Sequence, residues 1–167
     1  MAAALVVAAA GPEVTRADPV PDWVQIALRD GTDLAGLALP AGSEFCLTWF
    51  HSVTGGPVAD CFANRAGVLM LESSFLHDYA AGLGDLPGRG RLRPVPGGGY
   101  LIEDMGEPMD ANRLHLRIAA PHVAQTLRGS FGWLPLWPLA ARGERVTIAL
   151  IAPPDAPDAP DAPHILP

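Results

Sequence analysis

The sequence predicts an all-β fold: one antiparallel β-sandwich or barrel-like domain with short strands and little helix. Three observations predict it. Short runs of apolar/polar alternation recur along the chain between turn residues. Gly and Pro, at 18 each among 167 residues, far exceed the roughly 12% that average usage gives together. Charged residues make only 17% of the chain while hydrophobic residues reach 49%, which excludes a coiled coil and a charged disordered chain.

The elements follow in order. Val24 to Leu28 alternates with period 2, and Asp30-Gly31 marks a turn. Leu34 to Leu39 is a second apolar run, broken by Pro40 to Gly42. Phe45 to Val53 is the strongest strand signal. It puts Phe45, Leu47, Trp49, His51 and Val53 on one face and Cys46, Thr48, Phe50 and Ser52 on the other. Thr54-Gly55-Gly56-Pro57 reads as a hairpin loop, after which Val58 to Ala63 returns and Val68 to Phe75 follows. His77 to Gly99 is Gly/Pro-rich and irregular, a functional or disordered loop within the domain. Tyr100 to Glu103, Leu114 to Ile118 and Val146 to Ile151 read as strands; Ala119 to Leu127 is the one place in the body where a helix could form.

The ends differ from the body. Ala2 to Ala10 is an apolar run of small residues, with further small residues around Thr15-Arg16-Ala17. Residues 1–17 thus read as a signal segment without the usual basic start, and export is the expectation. Residues 20–152 form the β-rich domain. Residues 153–167 carry Asp-Ala-Pro three times; proline at every third position removes backbone donors, which predicts an extended, disordered tail. Net charge is −7 and every one of the 11 basic residues is Arg. No basic face is evident, so no nucleic-acid partner is expected. No run reaches the ~18 apolar residues of a membrane-spanning helix.

Several constellations could carry chemistry. His51 ends a strand before a Gly-Gly loop and could meet Asp60 or Asp78 in the fold as a general base. Ser52 points to the opposite face of the strand from His51, so the two cannot act as nucleophile and base. The five histidines, at 51, 77, 115, 122 and 164, lack metal-ligand spacing, and no metal or cofactor is expected. Arg89, Arg91 and Arg93 form an alternating row that could clamp a carboxylate or phosphate but reads first as a solvated edge. Trp133 to Pro138 reads as core, or as a face for a partner or membrane interface. For Cys46 and Cys61 two readings stay open. A loop at Thr54 to Pro57 pairs Val53 with Val58, puts the cysteines out of register and leaves two buried thiols. A tighter turn at Ser52 to Gly55 sets them opposite one another.

Phe45-Cys46-Leu47-Thr48-Trp49-Phe50-His51-Ser52-Val53, followed by Pro57-Val58, Asp60 and Phe62, resembles the hallmark of the family called domain of unknown function 1850. Phe75 followed by Ala80-Ala81-Gly82-Leu83-Gly84 is similar to its second hallmark. Thr54 stands where the family usually has Glu, and Ala80 and Gly84 replace its usual Gly and Pro. The resemblance runs from about Val24 to Ile151. It implies an exported or membrane-associated accessory protein beside tripartite periplasmic transporters of the TAXI type, whose subunits or solute receptor are the expected partners. His51, Ser52, Asp60, Gly82 and Leu83 are then the expected binding surface. A small hydrolase-like enzyme using His51 with Asp60 or Asp78 is the second reading, and a structural module docking on a membrane protein is the third.

Overall fold

The computed structural model describes residues 20–77, 88–153 and the backbone of residues 164–165. The apolar segment 1–17, Asp78, the Ala80–Gly84 stretch and most of the tail lie outside the described residues. In chain order the strands are β1 (Trp23–Leu28), β2 (Asp33–Ala38), β3 (Glu44–Phe50), β4 (Pro57–Arg65), β5 (Val68–Leu76), β6 (Arg91–Pro94) and β7 (Tyr100–Glu103). They continue with β8 (Glu107–Pro108), β9 (Arg113–Arg117), β10 (Thr126–Gly129), β11 (Gly132–Pro135), β12 (Arg145–Ile151) and β13 (His164–Ile165). All pairings among them are antiparallel.

The strands form two sheets. The smaller has the order β13-β2-β1-β12-β9; the larger runs β11-β10-β3-β4-β5-β7-β6, with β8 paired to β5. Val24, Ile26, Leu37, Val146, Ile148 and Leu150 from the smaller sheet meet Phe45, Leu47, Phe62, Leu69, Leu127 and Leu134 from the larger in one core. The alternation read in the sequence is what produces this layer, because period-2 apolar residues fall on one side of a pleated strand. The all-β expectation is therefore met, as a sandwich.

Two residues of the tail pair with the smaller sheet, His164 opposite Gly36 and Ile165 opposite Ala35; both lie beyond the last proline of the repeat and keep their backbone donors. Two local expectations are corrected. Ala119 to Leu127 is not a helix: one 3-10 turn at Pro121–Val123 ends where Ala124 takes a left-handed conformation, φ 53°. The Gln125 side chain then accepts from Ala119 N at 2.8 Å, and Thr126 enters the β10 ladder. The second correction is that β3 stops at Phe50, short of Val53. His51 N donates to Gly56 O and Gly55 N to His51 O, both at 2.8 Å, so the chain reverses over Ser52 to Gly55.

That tight turn sets the β3–β4 register. Phe50 faces Pro57, Leu47 faces Asp60, and Cys46 faces Cys61. The ladder is hydrogen-bonded at His51–Gly56 and, at its far end, from Asn64 N to Ser43 O. Counting inward from either end makes Cys46–Cys61 a non-hydrogen-bonded pair, the kind in which opposite residues come closest. Their Cα atoms are 3.9 Å apart and the sulfurs are bonded. The two-thiol reading is thus overturned, and the tighter-turn reading holds. On the opposite side of the same strands Phe45 stacks on Phe62, with ring centroids 5.3 Å apart.

Asn64 joins the sheets. Its side chain, 0% exposed, donates to Pro21 O at 2.9 Å and Leu39 O at 2.7 Å and accepts from Gly67 N at 2.7 Å. One amide in the larger sheet thereby holds the entry to β1, the exit of β2 and the β4–β5 turn. Gly36 is required for a different reason. Trp23 of the adjacent strand lies so close that a Cβ at Gly36 would come within 2.5 Å of its indole ring.

Two outcomes are expected. Replacing both cysteines with Ala opens a loop of sequence separation 15 and lowers unfolding free energy by about 3 kcal/mol, read as a shift in the denaturant midpoint. Asn64→Ala strands three backbone groups, two of them buried, and costs about 3 kcal/mol or more, read in the same assay with the disulfide intact.

Candidate functional site

The β3–β4 turn is built around His51. Its Nδ1 accepts from Thr54 N at 3.2 Å and Val53 N at 3.4 Å. The imidazole thus replaces a backbone acceptor inside its own turn. Ser52, Val53 and Thr54 are exposed at the tip, and Val53, expected on a strand face, is 86% exposed. His77, just past β5, packs its side chain against Gly56, where an added Cβ would lie 2.9 Å from the His77 Cβ. Its N–H donates to Pro57 O at 3.1 Å.

Asp60 sits elsewhere on the same strand pair. Its partner Leu47 is buried in the core, so Asp60 points to the interior face of the larger sheet. On its other side lies Ser74, whose hydroxyl donates to Asp60 Oδ1 at 2.6 Å. Arg89 comes between two acids. It makes a two-pronged pair with Glu107, Nε to Oε1 at 2.7 Å and Nη2 to Oε2 at 3.0 Å, and its charge also acts on Asp60. Burial pushes the Asp60 carboxyl above its ordinary value; the Ser74 hydrogen bond and the Arg89 charge oppose that shift without cancelling it. Arg89 is held more firmly protonated, first by its hydrogen bond to Glu107.

The structure separates the residues that the sequence grouped. Asp60 pairs with Leu47, four positions before His51, a separation of about 13 Å along the strand. His51 and Asp60 therefore do not form a hydrogen-bonded dyad: the Nδ1 atom is occupied by the turn, and Asp60 Oδ1 by Ser74. Asp78, Gly82 and Leu83 fall outside the described residues. Sequence reasoning missed Ser74, Arg89 as a charge acting on a half-buried acid, and Glu107. The available signal was Asp60 itself, a charged residue alternating with Val58 and Phe62 on an interior face.

Two other candidates resolve differently. The row Arg89, Arg91 and Arg93 is paired within the chain: Arg91 with Glu103 at 3.1 Å and Asp104 at 2.8 Å, Arg93 with Glu103 at 3.0 Å, and Arg89 with Glu107. Trp133 to Pro138 is split. Leu134 and Leu136 are in the core, while Trp133 is 67% and Trp137 42% exposed; alternation along β11 turns Trp133 outward, and Trp137 lies in the turn beyond the strand. Among the described residues no group of three or more His, Cys, Asp or Glu is placed to hold a metal ion, and no helix is long and apolar enough to cross a membrane.

Fold and site together define an all-β sandwich whose larger sheet carries a cross-strand disulfide, a histidine-centred turn and a half-buried acid near an arginine–glutamate pair. Residues 45–130 match the model of the family described as Domain of unknown function (DUF1850), and the chain belongs to that family. No curated protein and no solved structure matches it. The matched span begins in β3 and ends just after β10. It therefore contains the disulfide, the His51 turn and the Asp60 cluster.

The raised Asp60 acid gives a pH dependence of defined sign. Its contribution to stability is fully present below the ordinary carboxylate pKa and is lost as pH rises through the raised value. Asp60→Asn keeps an acceptor for Ser74 and removes the half-buried charge. Its melting temperature should exceed that of the wild type by up to a few degrees at pH 7, and the gap should close as the pH is lowered. A variant less stable than wild type at pH 7 would contradict the burial argument.

Proposed function

We propose that this chain is an exported, non-enzymatic accessory or binding protein that serves solute uptake by a TAXI-type tripartite transporter. The observation that carries export is the Cys46–Cys61 bond, since disulfides form and persist in oxidising compartments. The apolar, small-residue segment 1–17 supports the same reading. Family membership supports the link to uptake through the resemblance described above. A binding role is favoured over catalysis by His51, whose Nδ1 serves the turn, and by Asp60, whose accepted hydrogen bond comes from a neighbouring serine and not from a base. In this reading the exposed turn at His51–Ser52 forms the surface toward the partner or solute.

Fractionation of native cells expressing the tagged full chain tests this directly. The protein is expected outside the cytosol, with both cysteines resistant to alkylation until a reductant is added, and transporter subunits are expected in a pull-down from solubilised membranes. Cytosolic protein with freely alkylated cysteines would overturn export. Recovery of no transporter subunit from an exported, oxidised protein would overturn the transport link alone.

A further inference from the structure

The arginines that pair with acids lie on the larger sheet; a second set lies on the outer face of the smaller one. β9 alternates Arg113, His115 and Arg117 outward, with Leu114 and Leu116 packed against the core. Across the ladder, Arg117 faces Arg145, His115 faces Thr147 and Arg113 faces Ala149. Ile118 N donates to Glu144 O at 2.9 Å, which makes the neighbouring Arg117–Arg145 pair a non-hydrogen-bonded one, with its side chains at closest approach. Two like charges opposite each other in a ladder are destabilising. Arg29, just beyond β1, joins them: Arg29, Arg113, His115, Arg117, Arg145 and Thr147 line a concavity of about 640 Å³.

Among the described residues none of these four guanidinium groups has a carboxylate within 4.0 Å, whereas Arg65, Arg89, Arg91 and Arg93 all do. Two acids stand at the rim, in an adjoining hollow of about 660 Å³, and both serve turns. Asp30 accepts from Thr32 N at 3.0 Å, and Glu144 accepts from Ala141 N at 2.8 Å. Arg117 spends one N–H on Gly143 O at 3.0 Å. The chain carries a net charge of −7, so this cluster is a local positive field on an acidic protein.

We propose that this face is a binding site for a multivalent oxyanion of the phosphate type. Guanidinium groups present planar forks that match phosphate oxygens in pairs, and the concavity has the volume of a small-molecule site. The anion supplies the negative charge that the cross-strand arginines lack. The phosphate group can belong to a soluble phosphorylated solute or to an anionic lipid headgroup, since the face is open to solvent.

The test uses the purified full chain at low ionic strength. Inorganic pyrophosphate is titrated calorimetrically, and co-sedimentation is measured with phosphatidylglycerol-containing vesicles against pure phosphatidylcholine vesicles. Binding to pyrophosphate assigns a soluble source; binding to the anionic vesicles alone assigns the headgroup. In either case Arg117→Gln/Arg145→Gln is expected to weaken binding about tenfold or more, and added salt to weaken it further. Arg128→Gln, on the larger sheet, is expected to bind as wild type does. The double variant should melt no lower than wild type at low salt, because a repulsion has been removed; should it fail to fold, Arg113→Gln replaces it. Binding to neither probe, or equal binding by wild type and the glutamine variants, overturns the proposal.

Discussion

The pairing of β3 with β4 is the constraint on which the larger sheet depends. One register places Phe45 on Phe62 in the core, Cys46 against Cys61 on the outer face, and Asp60 beside Leu47 on the interior side. A slip of one residue would reverse the faces. The aromatic stack would turn to solvent, the cysteines would lose their partner geometry, and Asp60 would lose Ser74. The reversal over Ser52 to Gly55, held by the His51 backbone and ring, fixes that register at one end. The Cys46–Cys61 bond locks it in the middle, and Asn64 anchors the other end to the smaller sheet.

Much of the fold was legible because the alternation along β1, β3, β9 and β12 is local and unambiguous. The turn that sets the register was not. Gly55-Gly56-Pro57 has the composition of a turn centre, yet the reversal begins earlier because the His51 ring supplies acceptors that no propensity scale registers. The Asp60 cluster was half legible: the acid stood out among apolar neighbours, but Ser74, Arg89 and Glu107 reach it from other strands and loops. Asn64 gave no signal beyond its place before a Gly turn.

The arginines make the same point about long-range information. Arg91 and Arg93 alternate along β6 much as Arg113 and Arg117 alternate along β9, and the two rows look alike in sequence. What separates them is the strand across the ladder. β7 brings Glu103 to β6, while β12 brings Arg145 to β9. The first row becomes a set of internal ion pairs and the second a concentrated positive field on an acidic protein. Net charge, the quantity that argued against a basic face, averages the two.

The outer strands of both sheets have a consequence for how the protein behaves among its own copies. An open strand offers unpaired N–H and C=O groups to any neighbouring chain and is a template for aggregation. Here β9 ends the smaller sheet with two exposed arginines and a histidine, and β6 ends the larger one with two arginines and a proline. β11 closes the other side with Pro135, and β2 is covered by the two residues of β13. Charge, proline and a paired tail segment thus stand at the described rims, features that disfavour edge-to-edge pairing between copies.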